Sequence, residues 1–112
     1  MRTVAYGFLA ILLLMSFSLP SLAVSGWTSE AEVIELIPTI HKRFHVRLRV
    51  SENPSGCRNK DMFYQDFHTL GAQFMFRTLL EAVVSGKRVQ VEVTGNCELN
   101  GYSEISAVSI LP

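Results

Sequence analysis

Two cysteines, Cys57 and Cys97, constrain this chain more than any other feature of its sequence. Each sits among turn-forming residues, the first in SENPSGCRNK (51–60) and the second in GNCELNG (95–101). A bridge between them would pin two distant loops together, and closing a loop of this size contributes about 4 kcal/mol in the chain-entropy picture. That matches the net stability expected of a small domain. Whether the thiols pair depends on where the chain resides.

The amino end speaks to that. Arg2 precedes an apolar run including Phe8, Leu9, Ile11 to Leu14 and Phe17, which Pro20 and the small-residue pattern Ser21-Leu22-Ala23 close. This is the outline of a signal peptide, with cleavage expected after Ala23 and, as second choice, after Ser25. The competing reading is an anchoring helix, but the run is shorter than the roughly 20 apolar residues that span a bilayer, and Pro20 interrupts it. The expected product is an exported chain, periplasmic or secreted, with no stable membrane anchor after cleavage. It would be a single domain covering 24–112. Export to an oxidising compartment makes a Cys57–Cys97 disulfide the default. No CxxC or HxxxH spacing accompanies the cysteines, so no metal and no cofactor is expected. Once Arg2 is removed, nine basic residues face ten acidic ones, and no bulk attraction to nucleic acid follows.

Hydrophobic period then divides the rest. Thr28 to Ile37 is apolar with imperfect alternation and reads as a first strand, bent or buried on both faces, ended by Pro38. Phe44, Val46, Leu48 and Val50 alternate with His45, Arg47 and Arg49 in a second strand. Met62 to Phe67 reads as a third. From Thr69 to Ser85 the period becomes helical, with Thr69 as the expected cap and Gly86 as a left-handed stop. Val89, Val91 and Val93 mark a fourth strand, and Tyr102 to Leu111 a fifth whose alternation breaks between Ile105 and Val108, where one bulge restores the register. The order β-β-β-α-β-β matches a five-stranded OB-type barrel, mainly β with one helix and one disulfide. A helix packed on an open antiparallel sheet is the rival.

Catalytic signals are weak. Ser85-Gly86-Lys87 lacks the preceding glycine and the strand-to-helix order of a phosphate loop. His41, His45 and His68 with Asp61, Asp66 and Glu81 show no ligand spacing on one element and read as solvated surface. Ser29, Ser51 and Ser55 sit in no nucleophile motif. The basic face of strand two is the better lead, since the second and third strands of an OB barrel and its loops are its customary binding surface. Arg47 and Arg49 would hold an anionic or hydroxyl-rich ligand there, with Tyr64 or Tyr102 as a stacking ring. The rival reading leaves these arginines solvated or paired with acids such as Glu92. Trp27, the single tryptophan, is expected to plug the barrel end or cover a subunit contact, with sugar stacking as a third role.

The opening Trp27-Thr28-Ser29, the loop GCRNKD, the helix GAQFMFRTLLEAVVSGK and the strand RVQVEV resemble the small exported proteins similar to the subtilase cytotoxin B subunit. The resemblance implies an OB-type barrel. In the toxin the B subunit forms a ring of five that binds sialylated glycans and carries a catalytic A subunit. Ser29 stands where that pattern places a glycan-contacting serine. The expected function is therefore an exported, non-catalytic binding module, in its specific form a glycan-binding toxin-B-like subunit. Ser29, Arg47, Arg49 and Tyr102 are its candidate ligand residues, and the ring of five is its expected homo-oligomer. An envelope structural or stress protein that binds another protein is the alternative.

Overall fold

The structure, a computed structural model, describes residues 24–112, so the expected leader at 1–23 lies outside the described residues. Along the chain run β1 (Gly26–Trp27), β2 (Val33–Thr39), β3 (Arg43–Leu48), β4 (Met62–Asp66), α1 (Ala72–Ser85), β5 (Val89–Val93) and β6 (Ser103–Ile110). The strands make one sheet in the order β1-β5-β6-β4-β3-β2. Its pairs are antiparallel except β4 with β6, which run parallel.

The fold is thus mainly β with one helix, but a six-stranded open sheet stands where a five-stranded closed barrel was expected. The difference arises in the first strand, which divides at residues 28–32. Thr28 is the point of departure: its backbone N–H donates to Val91 O at 2.9 Å, while its own hydroxyl accepts from Val91 N at 3.2 Å. A side chain has taken the place of a carbonyl in the ladder. The chain then turns outward, Ser29 N donating to Glu52 O at 3.1 Å, before Ala31 bridges back to Val89. Pro38 does not end the strand as expected. It lies on β2, an edge strand, in register with Phe44 of β3, and a missing N–H is tolerated there.

Elsewhere period and structure agree closely. Phe44, Val46 and Leu48 of β3 and Val89, Val91 and Val93 of β5 are fully buried, as their alternation requires. Removing one such side chain from water is worth roughly 1.5–3 kcal/mol, so these two strands carry much of the core. The bulge expected between Ile105 and Val108 is present. Glu92 pairs with Ala107 and Val93 with Ile105, leaving Ser106 unpaired between them. Its hydroxyl reaches Glu92 Oε1 at 3.1 Å.

The helix closes the core from one side, burying Ala72, Leu79 and Ala82. Phe44, Phe67 and Phe76 meet with centroids 5.5 to 5.6 Å apart. Gly86 adopts the left-handed conformation (φ 69°), and its N–H caps Ala82 O. At the other end Thr69 is not the cap. Gly71 takes that position with φ 88° and no side-chain hydrogen bond, while the Thr69 hydroxyl donates to Gln65 Oε1 at 2.9 Å.

Cys57 and Cys97 form the disulfide, with Cα atoms 5.4 Å apart, tying the β3–β4 loop to the β5–β6 loop. A polar cluster supports it: Ser55 and Ser103 hydroxyls lie 2.8 Å apart, and Cys57 N donates to Ser55 Oγ at 3.1 Å. Ser55 and Ser103 are fully buried, and each is satisfied by the other.

Candidate functional site

The register of β3 and β4 sets out the first neighbourhood residue by residue. Arg43 faces Asp66, His45 faces Tyr64 and Arg47 faces Met62, while Tyr64 also stands beside Glu104 of β6. The basic stripe of strand two is therefore met by carboxylates. Arg43 Nε pairs with Asp66 Oδ1 at 2.8 Å, and Arg47 Nε reaches Glu35 Oε1 at 3.5 Å. The acid partner of Arg47 is Glu35 on β2, not Glu92. Arg49 lies just beyond β3, exposed, with its backbone N–H donating to Glu32 O at 3.2 Å.

Tyr102 stands edge-on to His45, with ring centroids 5.3 Å apart and planes at 83°. His45 is accordingly not a merely solvated histidine. Burial, then the charge of Arg43 and the neighbouring His41, lower its pKa from the ordinary 6.5, which disfavours the charged imidazolium beside the phenol ring. Tyr64 is 5% exposed and offers no free ring to a ligand. Its hydroxyl accepts from Asn96 Nδ2 at 3.4 Å. Burial, followed by the negative Glu104, Asp66 and Glu98, raises its pKa against the opposing pull of Arg43. This face is paired and stacked within itself.

Ser29 belongs elsewhere. Its hydroxyl oxygen accepts from Ser51 N at 3.0 Å, Ser51 Oγ at 3.1 Å and Glu52 N at 3.1 Å. It fixes the 51–52 turn rather than joining the face that carries Arg47 and Tyr102. Beside that turn opens a concavity of about 320 Å³ lined by Trp27, Ser51, Glu52, Asn53, Pro54 and Lys60. Asn53 is spent on structure: its Nδ2 donates to Lys60 O at 2.9 Å and Ser103 Oγ at 3.0 Å, and its Oδ1 accepts from Ser55 N at 3.0 Å. The ion pairs among the described residues are Arg43–Asp66 and Arg47–Glu35, so the Glu52 carboxylate and the Lys60 ammonium enter none.

Trp27 does not plug the end of the sheet. It is 47% exposed, and a second open concavity, of about 370 Å³, lies between it, Gln90 and Ser109. The indole thus borders two hollows. Gly26 is held close to Pro54, whose ring a Cβ would meet at 3.3 Å, so β1 is pressed against the 51–54 turn. An aromatic face with a carboxylate, an ammonium and hydroxyls around it suits a ligand having both C–H faces and many hydroxyl groups.

A third hollow, of about 520 Å³, runs along the disulfide between Arg58, Glu98 and Asn100. Arg58 Nη2 donates to Asn100 O at 3.3 Å and lies against Gly101, so the arginine links the two bridged loops. Among the described residues no group of three His, Cys, Asp or Glu side chains is placed to hold a metal ion. None of the described helices is long and apolar enough to cross a membrane. Comparison with protein-family models, curated proteins and solved structures finds no match.

Of the four residues singled out in the sequence, Arg47 and Tyr102 share one strand face, Arg49 lies at its end, and Ser29 borders the Trp27 hollow. Glu52 and Lys60 were missed. Both lie in a stretch whose composition announces only a turn, and their approach to Trp27 depends on β1 pairing with β5, a long-range contact without a local signal.

Proposed function

We propose that this protein is an exported, non-catalytic module that binds a glycan, and that the ligand lies against Trp27. The observation that carries the reading is the half-exposed indole beside the Glu52 and Lys60 side chains, in a hollow large enough for a sugar ring. A pyranose presents a C–H face to stack on the indole. Its hydroxyl groups donate to Glu52 and Ser51 and accept from Lys60, and an acidic sugar would gain further from the lysine. Ser29 acts in this reading as a positioning residue, since its oxygen is engaged in holding Ser51 and Glu52 in place.

The fold behind the site is proposed to be an OB-type barrel in its wiring. Two features support this. Residues 26–31 bond to β5 and residues 33–39 bond to β3, so one bent stretch of chain reaches both edges of the sheet. Counted as a single strand, it gives the order β-β-β-α-β-β, and the parallel contact of β4 with β6 completes the pattern.

A glycan array probed with the oxidised protein tests the function, with Trp27→Ala and Arg47→Ala run beside it. Binding to a defined glycan class is expected, reduced more than about tenfold by Trp27→Ala and left within about twofold by Arg47→Ala. Binding that survives Trp27→Ala but fails with Arg47→Ala would move the site to the strand face. An array with no bound glycan would remove the glycan reading and favour the envelope-protein alternative.

A further inference from the structure

The helix that closes the core shows a second apolar surface to solvent. Ala72, Leu79 and Ala82 face inward, whereas Phe74 is 69% and Val84 76% exposed, with Leu80 nearly half-exposed. At about 100° per residue, Phe74, Arg77, Leu80, Glu81 and Val84 fall on one side of α1. That side carries three exposed apolar side chains, Phe74, Leu80 and Val84, with the charged Arg77 and Glu81 among them.

The arrangement of the stripe points to what covers it. Phe74 lies five positions before Leu79 and Val84 five after; Arg77 lies two before and Glu81 two after. A second copy of the helix, laid antiparallel and centred on the same level, sets each Phe74 against the other Val84 and each Arg77 against the other Glu81. Apolar meets apolar at the ends, and opposite charges meet nearer the middle. This is the self-complementarity that a two-fold interface demands. Arg77 and Glu81 are one turn apart on the same helix but do not pair there, since the ion pairs among the described residues lie on the sheet. Their order, with the acid C-terminal to the base, is the weaker one for an internal pair. Both charges are left for another chain.

We propose that α1 is the contact surface of a two-fold homodimer, formed by antiparallel packing of Phe74, Leu80 and Val84 with reciprocal Arg77–Glu81 pairs. The proposal does not depend on the glycan reading. A helix of 14 residues is about 21 Å long, so the buried area is at the low end for a specific contact, and association at roughly micromolar concentration is expected.

Charge reversal tests it. Sedimentation velocity on the purified, oxidised protein is expected to show one-chain mass at low concentration and two-chain mass at high concentration. R77E alone and E81R alone place like charges opposite each other and are expected to weaken the dimer by at least roughly tenfold. An equimolar mixture of the two variants restores both pairs across a heterodimer, and the R77E/E81R double variant restores them in a homodimer. Both are expected to return to two-chain mass. One-chain mass at every concentration, a five-chain mass, single variants that dimerise as before, or a failure of both the mixture and the double variant to recover would each overturn the proposal. Recovery in the mixture also excludes misfolding of the single variants.

Discussion

Ser29 shows how one hydroxyl can shape a site without being its obvious contact. Its oxygen accepts two backbone N–H groups and one hydroxyl from the neighbouring turn. Ser29→Ala leaves those exposed donors to water, at a cost of about 0.5–1.5 kcal/mol. Urea unfolding is expected to show that loss, and amide exchange at Ser51 and Glu52 is expected to accelerate; unchanged exchange at both would contradict the role. His45 carries a prediction of a different kind. Its folded pKa lies below 6.5, so the unfolded chain binds the proton first on acidification. Stability from this group is present in full above about 6.5 and is lost as pH falls below that value toward the folded pKa. The unfolding midpoint measured at about pH 7.5 and about pH 5 is expected to fall less in His45→Gln than in the unaltered protein. An equal fall in both would remove His45 from the account. Neither role was legible in the sequence, because the 51–52 turn and the Tyr102 ring reach these residues only through folding.

The elements themselves were written more plainly. Alternation located β3 and β5, the break at Ile105 to Val108 located the bulge at Ser106, and Gly86 marked the helix stop. These signals are local, each read within a few residues of where it acts. The start of α1 and the division between β1 and β2 were not readable in this way. Thr69 has the chemistry of a cap, yet its hydroxyl is drawn to Gln65 on β4, and Gly71 replaces it because the chain must pass through φ 88° there. Thr28 likewise bends the first strand through bonds to Val91, 63 residues away. The glycines give a test at this scale. Added Cβ atoms at Gly71 and Gly86 meet nothing within 4 Å, so alanine at either position is opposed by backbone conformation alone. Gly71→Ala and Gly86→Ala are each expected to cost about 1–2 kcal/mol in thermal or urea unfolding. A neutral result at Gly86 would contradict the cap geometry.

At the scale of the molecule, the disulfide and the sheet wiring act together. The bridge spans 40 residues, from the loop before β4 to the loop before β6, and those two strands are the parallel neighbours at the middle of the sheet. Opening it by the paired change Cys57→Ser and Cys97→Ser is expected to lower the unfolding free energy by about 4 kcal/mol. An unchanged urea midpoint would show the bridge to be dispensable. The β3–β4 loop that carries Cys57 also carries Glu52, Asn53 and Lys60 of the Trp27 hollow, so loosening it is expected to disturb that hollow as well as the approach to Tyr102. That hollow is the central claim. Because Trp27 is the only tryptophan, tryptophan fluorescence reports on the surroundings of this one ring. The most direct measurement is a fluorescence titration of the oxidised protein with soluble glycans, both neutral and acidic. A saturable change in intensity or wavelength with one glycan class, abolished by replacing Glu52 and Lys60 together, is the predicted result; emission that stays flat through every titration would contradict the account.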